Sequence, residues 1–207
     1  MATVALIGFG LYLLLAFGLR TLIQIRNTGS SGFKGIGGRP GSAEWVAGAL
    51  FVVALAVGAL APILALADVL GAIPALDKPL VHGVGIALFV VGLAGTLFAQ
   101  LAMGPSWRIG VDEAERTDLI TSGPFRYVRN PIFAAMLPTS AGLLLMVPSV
   151  IAIIGLGALV LALELQVRVV EEPYLLRVHG DSYASYAARV GRFAPGLGTL
   201  RVPLPPD

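Results

Sequence analysis

Four long stretches of this chain carry no Asp, Glu, Lys or Arg: Met1–Leu19, Trp45–Ala67, Pro79–Trp107 and Pro131–Leu163. About 20 consecutive apolar residues let a helix cross the ~30 Å hydrocarbon layer of a bilayer, where every backbone N–H and C=O must be satisfied internally. Runs of this length point to membrane-spanning helices. Composition agrees, since 57% of the 207 residues are hydrophobic and 13% charged, about half the charge of an ordinary soluble domain.

The first three runs each fit one helix. The fourth, at 33 residues, would be about 50 Å long as a single helix, too long for one crossing. Pro148 lies near its middle, and an interior proline removes a backbone donor and clashes with the preceding turn. The expectation is a tight hairpin, with helices Pro131–Met146 and Pro148–Arg168 turning at Val147-Pro148-Ser149, and five membrane helices in all. The first run lacks a basic leader, and Arg20-Thr21-Leu22 offers no small-residue cleavage site, so it reads as a helix of the mature protein.

The expected fold class is therefore an all-α integral membrane protein, with a connector and a C-terminal helical segment at the membrane face. Residues 1–80 supply two helices and a glycine-rich loop; residues 81–207 supply a core of three helices, the connector 104–130 and the C-terminal segment 164–207. Of fourteen basic residues only Lys78, beside Asp68 and Asp77, lies on the far side; Lys34, Arg116, Arg201 and the others share one face. The positive-inside rule then places the N-terminus outside and the C-terminus in the cytosol.

Residues 29–41, GSSGFKGIGGRPG, read as a loop. Their Gly-x-Gly-Gly lacks the strand and βαβ unit that a dinucleotide fingerprint requires. The chain has no cysteine, which excludes thiolate zinc sites and a cysteine nucleophile. His82 and His179 lie on opposite faces, and no metal is expected. No nucleic-acid partner is expected either; basic loops on this face meet anionic lipid headgroups.

Function is expected in residues 104–130 and 164–195. The first part alternates charges with Ile109, Val111, Leu119 and Ile120 and reads as a folded connector. Ser122-Gly123-Pro124-Phe125 is turn chemistry. Asn130-Pro131 is a helix start, the asparagine suited to capping and the proline to the first helical position. That helix end, beside Arg126 and Arg129, offers free N–H groups and positive potential to a carboxylate or phosphate.

Glu164 pairs by spacing with Arg168, itself three and four residues before Glu171 and Glu172, which makes a charge ladder. Neighbours on a helix point about 100° apart, so one of the paired acids is free for a ligand. Tyr183, Tyr186 and Arg189 recur three residues apart in a tail helix ended by Gly191 and Pro195, where an interfacial tyrosine belt is the simplest role.

The segment LITSGPFRYVRNPIFAAM, a short hairpin, then VVEEPYLLRVHGDSYASYAARVGRFAPG, in this order and spacing, resembles the isoprenylcysteine carboxyl methyltransferase family of membrane methyltransferases, over residues 85–196. The resemblance implies a helical membrane enzyme that uses S-adenosylmethionine and releases S-adenosylhomocysteine, with the donor at the cytosolic face. Carried onto this chain, Leu119, Ile120, Thr121, Gly123, Pro124 and Phe125 wall the donor. Tyr127, Arg129, Asn130 and Pro131 surround its methionine part, Glu171 and Glu172 bond its ribose or amino group, and Tyr186 joins them. Many members have Arg-His-Pro where this chain has Arg129-Asn130-Pro131, so an amide replaces the histidine ring.

Methyl transfer from a sulfonium is an in-line displacement that needs alignment above all. Arg129, Arg189 or Arg192 could anchor an anionic acceptor, and Glu171 or Glu172 could take the proton of an amine; the catalytic set expected is Arg129, Glu171 and Arg189. The acceptor implied is a lipophilic or lipidated molecule that enters from the bilayer between helices bearing Gly85, Gly92 and Gly95, residues whose first role is expected to be close helix packing. A phospholipid N-methyltransferase and a catalytically silent membrane protein on the same scaffold are the alternatives.

Overall fold

The computed structural model describes residues 1–33, 35–108 and 118–200. Lys34, Ile109, Val111, Arg116 and Arg201, which enter the charge and connector readings, lie outside the described residues. Regular structure among the described residues is helical throughout. Helices α1 (Ala2–Leu13) and α2 (Arg20–Thr28) form one rod through a π-helical turn at Leu14–Leu19. Helix α3 (Ala43–Leu66) starts at Ser42, whose hydroxyl accepts the Trp45 N–H. Helix α4 (Pro79–Met103) begins on a proline, which loses nothing there because the first N–H of a helix has no partner.

Helices α5 (Pro131–Met146) and α6 (Val150–Leu165) form the expected hairpin. Pro148 cannot continue α5, and the Ser149 hydroxyl restarts the chain by accepting the Ala152 N–H. The second arm runs on past its expected end at Arg168: a π-helical turn, Gln166–Glu171, carries α6 directly into α7 (Glu172–Arg189), which kinks at Gly180 (φ +49°). Four helical stretches are long and apolar enough to cross a membrane, Ala2–Thr28, Ala43–Leu66, Pro79–Ser106 and Val150–Arg189, and α5 is a shorter apolar helix beside them.

The tightest packing is between α4 and α5. A Cβ on Gly85 would stand 2.9 Å from the Gly142 carbonyl, one on Gly142 2.6 Å from the Phe89 nitrogen, and one on Gly92 2.5 Å from the Thr139 nitrogen. Gly85 faces Gly142 and Gly92 faces Thr139, so the two helices run antiparallel with their backbones in contact. Of the two roles open to Gly85 and Gly92, close packing is the one seen: the small residues there close the seam, as they do where helices associate in lipid.

Helix α6 packs on α3, with Gly155 against Val57, and Gly58 of α3 receives the Phe9 ring of α1. The core gathers Ala5, Tyr12, Ala16, Ala54, Phe89, Met136, Leu159 and Leu163. Outward-facing Ile7, Leu14, Val91, Phe98 and Ile154 are each more than half exposed. Leaving such a side chain in water forgoes about 1.5–3 kcal/mol, whereas a lipid environment removes the penalty.

Candidate active site

Gly123 (φ +58°) opens a 3₁₀ turn, Gly123–Arg126, that buries Phe125. The chain then runs beside the segment after α7: the Arg129 N–H donates to the Gly191 carbonyl at 2.8 Å and the Asn130 N–H to the Arg192 carbonyl at 3.1 Å. Only glycine fits at 191, because a Cβ there would fall 2.6 Å from the Leu197 carbonyl and closer still to that of Ala194. Backbone pairing thus sets two arginines on either side of Glu172.

Arg129 turns inward. Its Nη1 donates to the carbonyls of Ala187 (2.9 Å) and Val190 (2.5 Å), closing the C-terminus of α7, and its Nη2 donates to Glu172 Oε1 (2.5 Å) and the Gly198 carbonyl (3.0 Å). A cation suits that end of a helix, where carbonyls lack partners and the dipole is negative. Arg192 grips the same carboxylate with both prongs, Nε to Oε1 at 2.8 Å and Nη2 to Oε2 at 2.9 Å, a bidentate geometry that adds strength and direction. The Glu172 carboxylate holds the Arg192 guanidinium above the usual arginine range. All three side chains are buried.

An apolar group locks these parts together. Tyr183, Tyr186 and Ala187 pack with Leu119, and the Tyr186 hydroxyl donates to the Phe125 carbonyl at 2.5 Å. On the neighbouring side the Arg108 guanidinium lies 5.1 Å from the centre of the Tyr174 ring. The connector's two described ends therefore both rest on α7.

Several expected residues meet here: Arg129, Glu172, Phe125, Tyr186 and Leu119. Others stand differently. Asn130 occupies the cap position of α5 but makes no capping bond; its amide donates to the Arg192 carbonyl at 3.2 Å. Arg189 and Tyr127 are exposed, as are Thr121 and Gly123, while Ile120, Pro124 and Glu171 are half-buried and Pro131 is buried. Tyr183 and Tyr186 are core residues rather than an interfacial belt.

The charge ladder holds only in its first rung. Arg168 donates to Glu164 as its spacing predicts, but both oxygens of Glu172 serve Arg129 and Arg192. Glu172 is drawn into the interior by the two buried arginines, whereas the Arg168 side chain stays 59% exposed beside Glu164; the π turn Gln166–Glu171 lies across this stretch. Arg192 stood among the expected acceptor anchors; its hold on Glu172 had no sequence signal beyond a basic residue directly after Gly191.

At the opposite end of the bundle His82 Nε2 lies 3.1 Å from Asp77, beside a small cavity that Met1 and Ser149 also line. Fold and cluster together define an integral membrane protein whose apolar bundle ends in a buried knot of two arginines and a glutamate. A family model described as phospholipid methyltransferase matches residues 80–182, just under half of the chain, from the start of α4 into α7. No curated protein and no solved structure matches the chain. The matching phospholipid methyltransferase family is one of the isoprenylcysteine carboxyl methyltransferase-like membrane methyltransferases, so over residues 80–182 the comparison agrees with the resemblance carried by the sequence motifs.

Proposed function

We propose that the protein moves a methyl group from S-adenosylmethionine to a lipophilic acceptor at the cytosolic face of a membrane that it crosses five times, N-terminus outside. The observation that carries this reading is the joining of the start of α5, the start of α7 and the chain after Gly191 through Arg129, Glu172 and Arg192. It assembles one polar site from three distant segments, two of them inside the matched region.

The residues present fit the donor. Its methionine carboxylate suits the N-terminus of α5, which Asn130 leaves uncapped, since free N–H groups and the helix dipole favour an anion. Arg129 Nε is a buried donor with no hydrogen-bond partner among the described residues. Glu171 supplies an acceptor for the ribose hydroxyls or the amino group, next to the engaged Glu172. The donor supplies an electrophilic methyl on a sulfonium, so the protein's task is alignment. Glu172 keeps Arg129 in place, and Arg129 and Arg192 keep the local potential positive. Arg189, exposed at the end of α7, is placed to meet the acceptor rather than the donor.

A second reading specifies the acceptor. The matching family is described by its phospholipid substrates, which favours a lipid amine, and Glu171 would then take the proton that the amine loses. Purified protein in lipid nanodiscs, given methyl-labelled S-adenosylmethionine, tests both. Base-stable label in lipid amines supports the phospholipid reading, base-labile label supports a carboxyl ester, and no transfer to any lipid or lipidated acceptor overturns the methyltransferase assignment.

A further inference from the structure

Outside the matched region, the helix α1–α2 carries a polar row that α4 shares. Tyr12, Ala16, Arg20 and Gln24 follow at four-residue steps, facing Thr96, Gln100 and Gly104, also four apart. Gln100 Nε2 donates to the Ala16 carbonyl at 2.8 Å and Arg20 Nη2 to the Gly104 carbonyl at 2.5 Å, both pairs separated by 84 residues. A constant offset means that the two helices run parallel and in register. Tyr12, Thr96 and Gln100 fall within the apolar part of the bundle, where polar pairs of this kind hold helices together. The two residues nearest the connector do something more.

Arg20 and Gln24 are both 4% exposed. They bond each other at 3.1 Å, and Gln24 Nε2 donates to the Pro105 carbonyl at 2.7 Å. Gly104 and Pro105 lie where α4 ends and the chain turns into the connector, Gly104 at φ +58°. The Arg20 guanidinium also covers the buried Trp107 ring at 4.6 Å, and Gly32 packs so close to that residue that a Cβ would meet the Trp107 carbonyl at 3.1 Å. The next residue is Arg108, whose guanidinium lies over Tyr174, two positions past Glu172. A chain of contacts thus runs from the first helix through Trp107 and Arg108 to Tyr174 in the first turn of α7, the turn that carries Glu172.

We infer that Arg20 and Gln24 are positioning residues for the donor site, holding the exit of α4 and Trp107 so that the connector meets α7 in one place. Two buried polar side chains bonded to successive carbonyls at a helix end over-determine its exit direction, more than helix association alone calls for. The inference rests on the donor reading above.

The test measures S-adenosylhomocysteine affinity by calorimetry, and thermal stability, on protein in nanodiscs. Arg20→Ala and the milder Gln24→Ala are expected to weaken binding about tenfold or more, and Arg20→Lys to recover part of it. Gln100→Leu removes the interhelix bond deeper in the same row; it is expected to lower the melting temperature while leaving affinity within about twofold. Wild-type binding with unchanged affinity in Arg20→Ala and Gln24→Ala, or equal loss in Gln100→Leu, overturns the positioning role. Absence of binding by the wild type overturns the donor reading itself and the positioning role with it.

Discussion

Glu172 accepts from two guanidiniums inside the protein, and this one side chain separates what is costly here from what is cheap. Removing one partner of a buried ion pair leaves an uncompensated charge, which costs about 3–5 kcal/mol. Glu172→Ala strands both Arg129 and Arg192 and is expected to lose stability on that scale, read by denaturation in detergent. Glu164→Gln disturbs an exposed pair with Arg168, at 59% exposure, and a longer 3.8 Å contact with Arg192, which Glu172 already satisfies, so its effect should stay at about 1 kcal/mol, well below that of Glu172→Ala. A raised arginine contributes stability that is complete below the usual arginine range and is lost only as pH rises through its raised value. Stability should therefore show no titration from Arg192 at neutral or mildly alkaline pH. Asn130→Ala should weaken donor binding modestly, because its amide bonds a backbone carbonyl, that of Arg192, and leaves the α5 N–H groups uncapped, and Glu171→Ala strongly. The resemblance brought Arg129 and Glu172 to one site, but not their direct pairing or the part of Arg192 in it: Glu172 finds its partners 43 and 20 residues away, and local spacing says nothing about such contacts.

At the scale of elements, helix starts and stops were readable because they depend on local chemistry. Pro148 and Ser149 fixed the hairpin, and Pro79 and Pro131 each begin a helix, as the first helical position allows. The two π turns were not readable: one lies across the stretch between Arg168 and Glu172, and the other sits where Gln100 takes the Ala16 carbonyl. Packing between α4 and α5 yields a graded prediction. Gly142→Val and Gly92→Val put side-chain atoms where backbone already stands and should cost at least about 1–3 kcal/mol by overpacking. Gly157→Ala, with nothing within 4 Å of the new carbon, should be neutral or better, since alanine favours the helix by about 1 kcal/mol over glycine. Melting temperatures of the three variants in one detergent provide the comparison.

For the molecule as a whole, the charge-free runs were the most legible feature, since apolar length is a property of sequence and a bilayer admits few solutions. Which glycines would open and which would close was beyond sequence, because close packing and lateral entry call for the same small residues. The proposed orientation can be read directly, because the chain contains no cysteine and single cysteines report without background. Ala75→Cys is expected to react with a membrane-impermeant thiol reagent added outside intact cells, and Thr199→Cys, at an exposed position, only after permeabilisation; the reverse pattern inverts the topology. The central claim is that one donor molecule is held where the start of α5 meets α7. Structure determination with S-adenosylhomocysteine bound tests it most directly. The account predicts the ligand against residues 130–133 and Glu171, with the Arg129–Glu172–Arg192 knot intact behind it; a ligand seated elsewhere, such as beside His82 and Asp77 at the other end of the bundle, would contradict it.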